Sequence, residues 1–469
     1  MRVLRPSLGP NRRLRTIVPA VITMTLALLA PPAGGAAAQE PKVAGAYNEV
    51  TVDGRYTNLG LEGVEHAAMA YAAMYKVTGD PHQRAVFEAL LDRMHTPLLV
   101  QDFDMVQRLC VQVLDDPFLL SHPKLVTIVN GYADTLVQRY TTVPDQLLNT
   151  GGIRTLNGNA SFLVAYGDFL DREAAAARGP SRADLQHKLQ AVDKTAIALL
   201  DRLVELQFTL AEATDRFDNP RWAGGFPYVV DAADGTMGSY DVSTWSPMML
   251  SLSQYSAVSA LAEGFGRYHK ASYNQAAAAG ARLLLATDKI DPNVVYAGDP
   301  PGFPLDGAKF EFGEETGETP YLITYGWSPN AIGDMGTTLK ALIDNRVTVP
   351  RSLTWAQTYW KGNPPPWVLD PRTFWDGLAA KVAYTHRYIE ATQLPVAADF
   401  PWIDLSRTTF PGTGDDDIRR GGWYNGSGRG NMSAVYSRIA ISGYVASGGD
   451  NVELLMRAGR WWDNMIVWE

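Results

Sequence analysis

A single cysteine in 469 residues excludes an internal disulfide. That residue lies in Leu109-Cys110-Val111, an apolar setting that suits a packed thiol better than a nucleophile. Basic charge is short as well: 41 Lys and Arg stand against 50 Asp and Glu, a net charge of −9. Such a chain has no electrostatic footprint for nucleic acid. Long apolar runs are missing. The one near the N-terminus, 17–30, is too short for a membrane span and is interrupted by Pro19. Alternating apolar and polar patterns are scarce too, which argues against a fold built on sheets.

The first residues are an export signal. Arg2, Arg5, Arg12, Arg13 and Arg15 form a basic head, followed by the apolar run and by small residues ending at Ala36-Ala37-Ala38. An A-x-A pattern there predicts cleavage before Gln39, so residues 1–38 are a signal peptide and the mature chain is secreted or periplasmic. The pair Arg12-Arg13 fits an ordinary signal better than a twin-arginine one. Losing these arginines makes the mature chain more acidic.

Helical periodicity dominates the remainder. Helices are expected over 61–77, 83–94, 105–114, 125–140, 160–176 and 184–208. Others are expected over 248–268, 273–288, 331–345, 374–391, 432–445 and 452–462. Gly79-Asp80-Pro81 stops the first and starts the second, and Gly151-Gly152 breaks the chain again. The helices pair through short turns, with long loops between pairs and no composition break that marks a second domain. A closed ring of six helical hairpins, an all-α (α/α)6 toroid spanning 39–469, accounts for the count and gathers the long loops at one end. An open helical solenoid is the structural alternative.

Those loops hold the chemistry. Arg221-Trp222-Ala223-Gly224-Gly225-Phe226-Pro227-Tyr228 runs on to Asp231, Asp234, Tyr240 and Asp241. Glycine permits sharp turns or close approach to a ligand, so a stretch this dense in aromatics, arginine and carboxylates reads as a binding surface. Its competing reading is a structural turn whose aromatics cap the core. A second motif is Asp415-Asp416-Asp417-Ile418-Arg419-Arg420-Gly421-Gly422-Trp423-Tyr424. Adjacent arginines can hold a carboxylate by paired, charge-assisted hydrogen bonds. The three aspartates can bind a hard cation or remain a solvated charge run. Aromatics crowd both segments, and flat rings with polar tips match the apolar faces and hydroxyl rims of sugars. Trp461 and Trp462, by contrast, read as core residues.

Gly224-Gly225-Phe226-Pro227 is similar to the Gly-Gly-Trp-Pro loop of the family 10 pectate lyases. Arg419-Arg420-Gly421-Gly422-Trp423-Tyr424 resembles their Arg-Arg-x-Gly-Tyr-x-Trp-Tyr segment. The likeness covers two short loops and the helical architecture, with Phe226 and Tyr228 departing from the pattern. It implies a toroid that cleaves an acidic polysaccharide by β-elimination, with an arginine base, acidic residues and a calcium ion.

Abstracting the C5 proton of a uronic acid needs a base and a positive group on the carboxylate that takes up the developing charge. Arg221, Tyr240, Asp241 and Arg420 are the catalytic candidates. Trp222, Tyr228, Arg419, Trp423 and Tyr424 are candidates for holding substrate, and Asp231 and Asp234 for holding calcium. His66 is a rival base, although a lone helical histidine is more often structural. Hydrolysis needs no more than two carboxylates, and Glu314, Glu315 and Glu318 are loop candidates for that role. A toroid that binds glycan without turnover is the non-enzymatic alternative. The expected partner is a polysaccharide, and the expected state a monomer.

Overall fold

The computed structural model describes residues 42–46, 49–50, 56–57, 61–94, 105–149, 152–217, 223–227, 251–286, 337–348, 462 and 466–468. Two short strands, β1 (Val43–Ala46) and β2 (Glu49–Val50), open the chain, and β3 (Tyr56–Thr57) pairs antiparallel with β2. Then come helices α1 (Leu61–Thr78), α2 (Pro81–Arg93), α3 (Met105–Leu114), α4 (Pro117–Leu120), α5 (Pro123–Thr142) and α6 (Pro144–Asn149). They are followed by α7 (Ile153–Ala176), α8 (Pro180–Leu206), α9 (Leu210–Phe217), α10 (Ser251–Tyr268) and α11 (Ala271–Ala286). A helical segment at 337–344 and strand β4 (Ile466–Trp468) complete the described set.

Burial sorts these helices into two layers. In α10 every residue of 254–262 is buried, serines included, and in α7 so are 156–160 and 162–164. A helix without a solvent face has to lie inside other helices. Helix α8 instead buries Val192, Thr195, Ala196, Leu199, Leu200 and Leu203, the i, i+3, i+4 spacing of a single stripe. Helix α5 does the same with Leu125, Ile128, Val129, Ala133 and Leu136. Inner helices therefore carry small and apolar residues all round, and outer helices carry one apolar stripe.

The inner helices run parallel. Asn157 of α7 donates to Ser256 of α10 (3.0 Å) near both starts, and Arg267 of α10 pairs with Asp168 and Asp171 of α7 near both ends. Arg172 of α7 donates to the last carbonyl of α3, on Leu114 (3.2 Å). Thr338, in the 337–344 segment, meets Ser259 (2.9 Å) and the Tyr255 carbonyl (2.8 Å) of α10. Inner helices connect to outer ones by short turns: Gly79-Asp80 from α1 to α2, 177–179 from α7 to α8, and His269-Lys270 from α10 to α11. At the first of these Gly79 takes φ +68°, Asp80 accepts from the His82 N–H (2.9 Å), and Pro81 begins α2. In sequence, 94–104, 143–152, 207–250 and 287–336 separate outer helices from the inner ones that follow, and the last two are the longest. They leave and return at the N-terminal ends of the inner helices.

The other end, where the short turns lie, is tied by charge. The Arg267 guanidinium is packed against Gly167 and pairs with Asp168, Asp171 and Asp193, while the Tyr268 hydroxyl donates to Asp193 (2.8 Å). Lys270 and Tyr273 repeat the pattern on Asp201. Basic groups here also face the negative ends of the helix dipoles, among them Lys76 in the last turn of α1 and Arg267 in that of α10.

The all-α class and the hairpin architecture of an (α/α) toroid hold. The expected helices at 374–391 and 432–445 lie outside the described residues, as does 452–462 except Trp462, which is buried as expected. So does the signal segment. Three short helices were not expected. Helices α4 and α6 each begin with a proline, a residue suited to a first helical turn. Helix α9 begins with a reciprocal capping box: Thr209 donates through its N–H to Glu212 (2.9 Å), and its hydroxyl accepts from the Glu212 N–H (3.1 Å). Helix α7 starts at Ile153 rather than 160. Asn157 and Asn159, which interrupt the apolar pattern, are buried with polar partners: Ser256 for the first and the Tyr132 hydroxyl (2.7 Å) for the second. Cys110 is fully buried, as its setting implied.

Candidate functional site

The long connection between α8 and α10 passes through one described turn, Ala223 to Pro227, and all five residues are buried. Phe208 exchanges backbone hydrogen bonds with the two glycines: its carbonyl accepts from the Gly224 N–H (2.8 Å), and its N–H donates to the Gly225 carbonyl (2.8 Å). Gly224 holds φ +90°, and a Cβ there would stand 2.9 Å from the Ala279 carbonyl oxygen of α11. No side chain fits that approach, so glycine is required twice over, by dihedral and by space.

Two glutamines fix the turn. Gln254, in the first turn of α10 and 2% exposed, accepts from the Phe226 N–H (2.7 Å) and donates to the Phe226 carbonyl (2.9 Å). Its primary amide thus satisfies both backbone groups of one residue in a buried place, where leaving them unpaired would be costly. Gln207, the cap residue after α8, donates to the Gly224 carbonyl (2.9 Å) and to the Ala276 carbonyl of α11 (2.9 Å). The turn is thereby fastened to α8, α10 and α11 at once.

This corrects the expectation for the middle of the stretch. Gly224-Gly225-Phe226-Pro227 is a buried anchor, not a presented surface. Phe226 is fully buried, because the two glycines let the chain dive between α10 and α11 and carry the ring into the core. The alternative of a structural turn whose aromatic caps the core is the correct one at these five residues.

The turn sits at the N-terminal end of α10, the end from which the long connections spring. Parallel inner helices present their N-termini there, and aligned peptide dipoles give that end a positive field. A further cation is buried close by: Arg282 of α11, 1% exposed, is one helical turn beyond Ala279 on the same face. Burial pushes its guanidinium down to about 10, still charged at neutral pH. Gln207, Gln254 and Arg282 escape a reading based on loops, since each lies on or beside a helix. The visible signal was a glutamine or arginine inside an otherwise small-residue, apolar helix pattern.

Arg221, Trp222, Tyr228, Asp231, Asp234, Tyr240 and Asp241 lie outside the described residues. So do Arg419, Arg420, Trp423 and Tyr424, the aspartates at 415–417, and Glu314, Glu315 and Glu318. His66 lies in α1, and its side chain is outside the described set. Among the described residues no three His, Cys, Asp or Glu side chains group to hold a metal ion, and the calcium candidates are not among them. No described helix is long and apolar enough to cross a membrane.

No protein-family model matches the chain, and no curated protein does. Solved structures with some likeness include an inactive variant of the alpha-1,6-mannanase GH76A of Salegentibacter sp. HEL1_6 in complex with alpha-1,6-mannotetrose. It is 11% identical at a TM-score of 0.45, over 89% of this chain and 94% of that one. Another structure, of the same mannanase without a named ligand, is 12% identical at a TM-score of 0.44, over 89% of this chain and 95% of that one. At such values the activity and substrate of this chain rest on its own residues.

Proposed function

We propose that this chain is an exported, single-domain enzyme that breaks glycosidic bonds in a polysaccharide, working at the N-terminal end of its inner helices. The observation that supports this is the asymmetry of the connections. Short turns close one end, while the segments that follow α8 and α11 in sequence, which hold Arg221 to Asp241 and Glu314 to Glu318, leave those helices at the other. Rings beside charged and polar groups are what an extended sugar chain needs for recognition.

Hydrolysis is the leading reading. It requires an acid and a second carboxylate across the scissile bond. The candidates are the loop residues Glu314, Glu315 and Glu318 and the aspartates of 231–241. Elimination on a uronate glycan is the second reading, with Arg221, Tyr240, Asp241 and Arg420 as catalytic groups and Asp231 and Asp234 holding calcium. It keeps the support of Arg419-Arg420, but the buried Gly-Gly-Phe-Pro anchor no longer speaks for a ligand-facing loop. Trp222, Tyr228, Arg419, Trp423 and Tyr424 hold substrate in either reading.

The test is incubation of purified protein with a panel of neutral and uronate-containing polysaccharides. New reducing ends without ultraviolet absorbance, unaffected by chelator, are the expected result. An unsaturated, absorbing product that disappears with chelator would establish elimination instead. Retention of a glycan without any product would overturn catalysis in favour of binding.

A further inference from the structure

The geometry points to Gln254 as a positioning residue for the functional end, one whose amide sets where the connection between α8 and α10 enters and leaves its buried turn. A side chain that both accepts from and donates to Phe226 fixes that residue in position and orientation, as a single hydrogen bond does not. The chain has no slack around it. Gly224 is pressed against the Ala279 carbonyl, and Gln207 donates to the Gly224 carbonyl. Trp222 and Tyr228 adjoin the turn in sequence at its two ends, which is how the clamp bears on both sugar-platform candidates. The assignment of the clamp stands on this geometry, and its effect on substrate rests on the glycan-active reading.

The amide pair also has a chemical signature. In Gln254→Glu the carboxylate still accepts from the Phe226 N–H but faces the Phe226 carbonyl without a proton to donate. Once protonated it regains the donor, and burial raises the pH at which that happens. Gln254→Leu has neither function at any pH. A general packing role would weaken both variants alike and without regard to pH.

Hydrogen exchange of peptides within 218–230, corrected for intrinsic rates, is measured at pH 5 and pH 8 for wild type and both variants. Alongside it, KM and kcat are determined on whichever panel polysaccharide the wild type turns over. The expected result for Gln254→Glu is exchange at pH 8 faster by about tenfold, with KM raised by a similar factor and kcat less affected. At pH 5 both return toward wild type, while Gln254→Leu stays impaired at both pH values. Wild-type exchange in Gln254→Glu at pH 8, or a defect that persists unchanged at pH 5, overturns the proposal. Should Gln254→Leu fail to fold, the comparison within Gln254→Glu still decides. Absence of any turnover by the wild type sinks the enzymatic reading, and the exchange measurements then decide the clamp by themselves.

Discussion

Val43 stands opposite Trp468 across an antiparallel strand pair, so the earliest and the latest described strands are hydrogen-bonded neighbours. Gly45 faces Val467 and Ala46 faces Ile466 in the same ladder. The Val43 carbonyl accepts from Arg93 of α2 (2.6 Å), which fastens this pair to the first hairpin. A closed ring of hairpins needs some such contact between the two ends of the chain, and among the described residues this strand pair supplies one.

Ile466→Ala tests that clasp. Ile466 is 6% exposed and faces the fully buried Ala46. Truncating a buried isoleucine is expected to destabilise by about 2–4 kcal/mol. Urea unfolding would measure it. A change within error would mean that the clasp does not hold the ring.

Gly224→Ala is expected to destabilise by about 1–3 kcal/mol, since the methyl meets a backbone carbonyl and the residue is left-handed. Thermal unfolding reads the loss. Wild-type stability would show that the turn can shift without consequence.

Arg267→Met removes the cation shared by Asp168, Asp171 and Asp193 and leaves three carboxylates close together. The arginine side chain is 9% exposed, but Asp168 and Asp171 are more than half exposed, so solvent screens part of the repulsion. An expected loss of about 2–3 kcal/mol follows, and added salt should shrink it. Unfolding at low and high ionic strength provides the comparison.

Asp115 supplies a pH test. Asp115 is exposed, so solvent screens it, but desolvation by the surrounding chain still pushes its carboxyl above the ordinary range, against the opposing pull of Lys76, Arg172 and Lys340. A group raised in the folded state favours folding below its unfolded value and loses that advantage as pH rises through its folded value. Asp115→Asn should therefore unfold at a higher temperature than wild type at pH 7. The difference should vanish as pH falls below about 4. A variant less stable at pH 7 would show that the lysines and arginine outweigh the desolvation.

On the elimination reading, Arg420→Ala and Asp241→Ala are each expected to lower kcat/KM by about a hundredfold or more while leaving the unfolding temperature near wild type. Both variants melting much lower with full activity per folded molecule would make the two loops structural.

Most of the helical framework was legible because its cues are local. The stripe of α8, the Gly79-Asp80-Pro81 stop and start, and the setting of Cys110 depend on spacing and on neighbours in the chain. Helix α9 was missed, although its local cue was there in Thr209 and Glu212, a capping box three residues apart. The fate of Phe226 was not legible. A glycine-rich aromatic stretch has the same composition whether it faces a ligand or dives into a core. Only Gln254, Gln207 and the Ala279 carbonyl, which are distant in sequence, decide between them. The pairing of β1 with β4 is of the same kind, since strands so short carry no signal of a partner more than four hundred residues away. Sequence by itself determined most of the described helices and their pairing, because hydrophobic period and capping act within a few residues. Tertiary structure decided which of those residues are buried anchors, because burial is set by whatever packs against them.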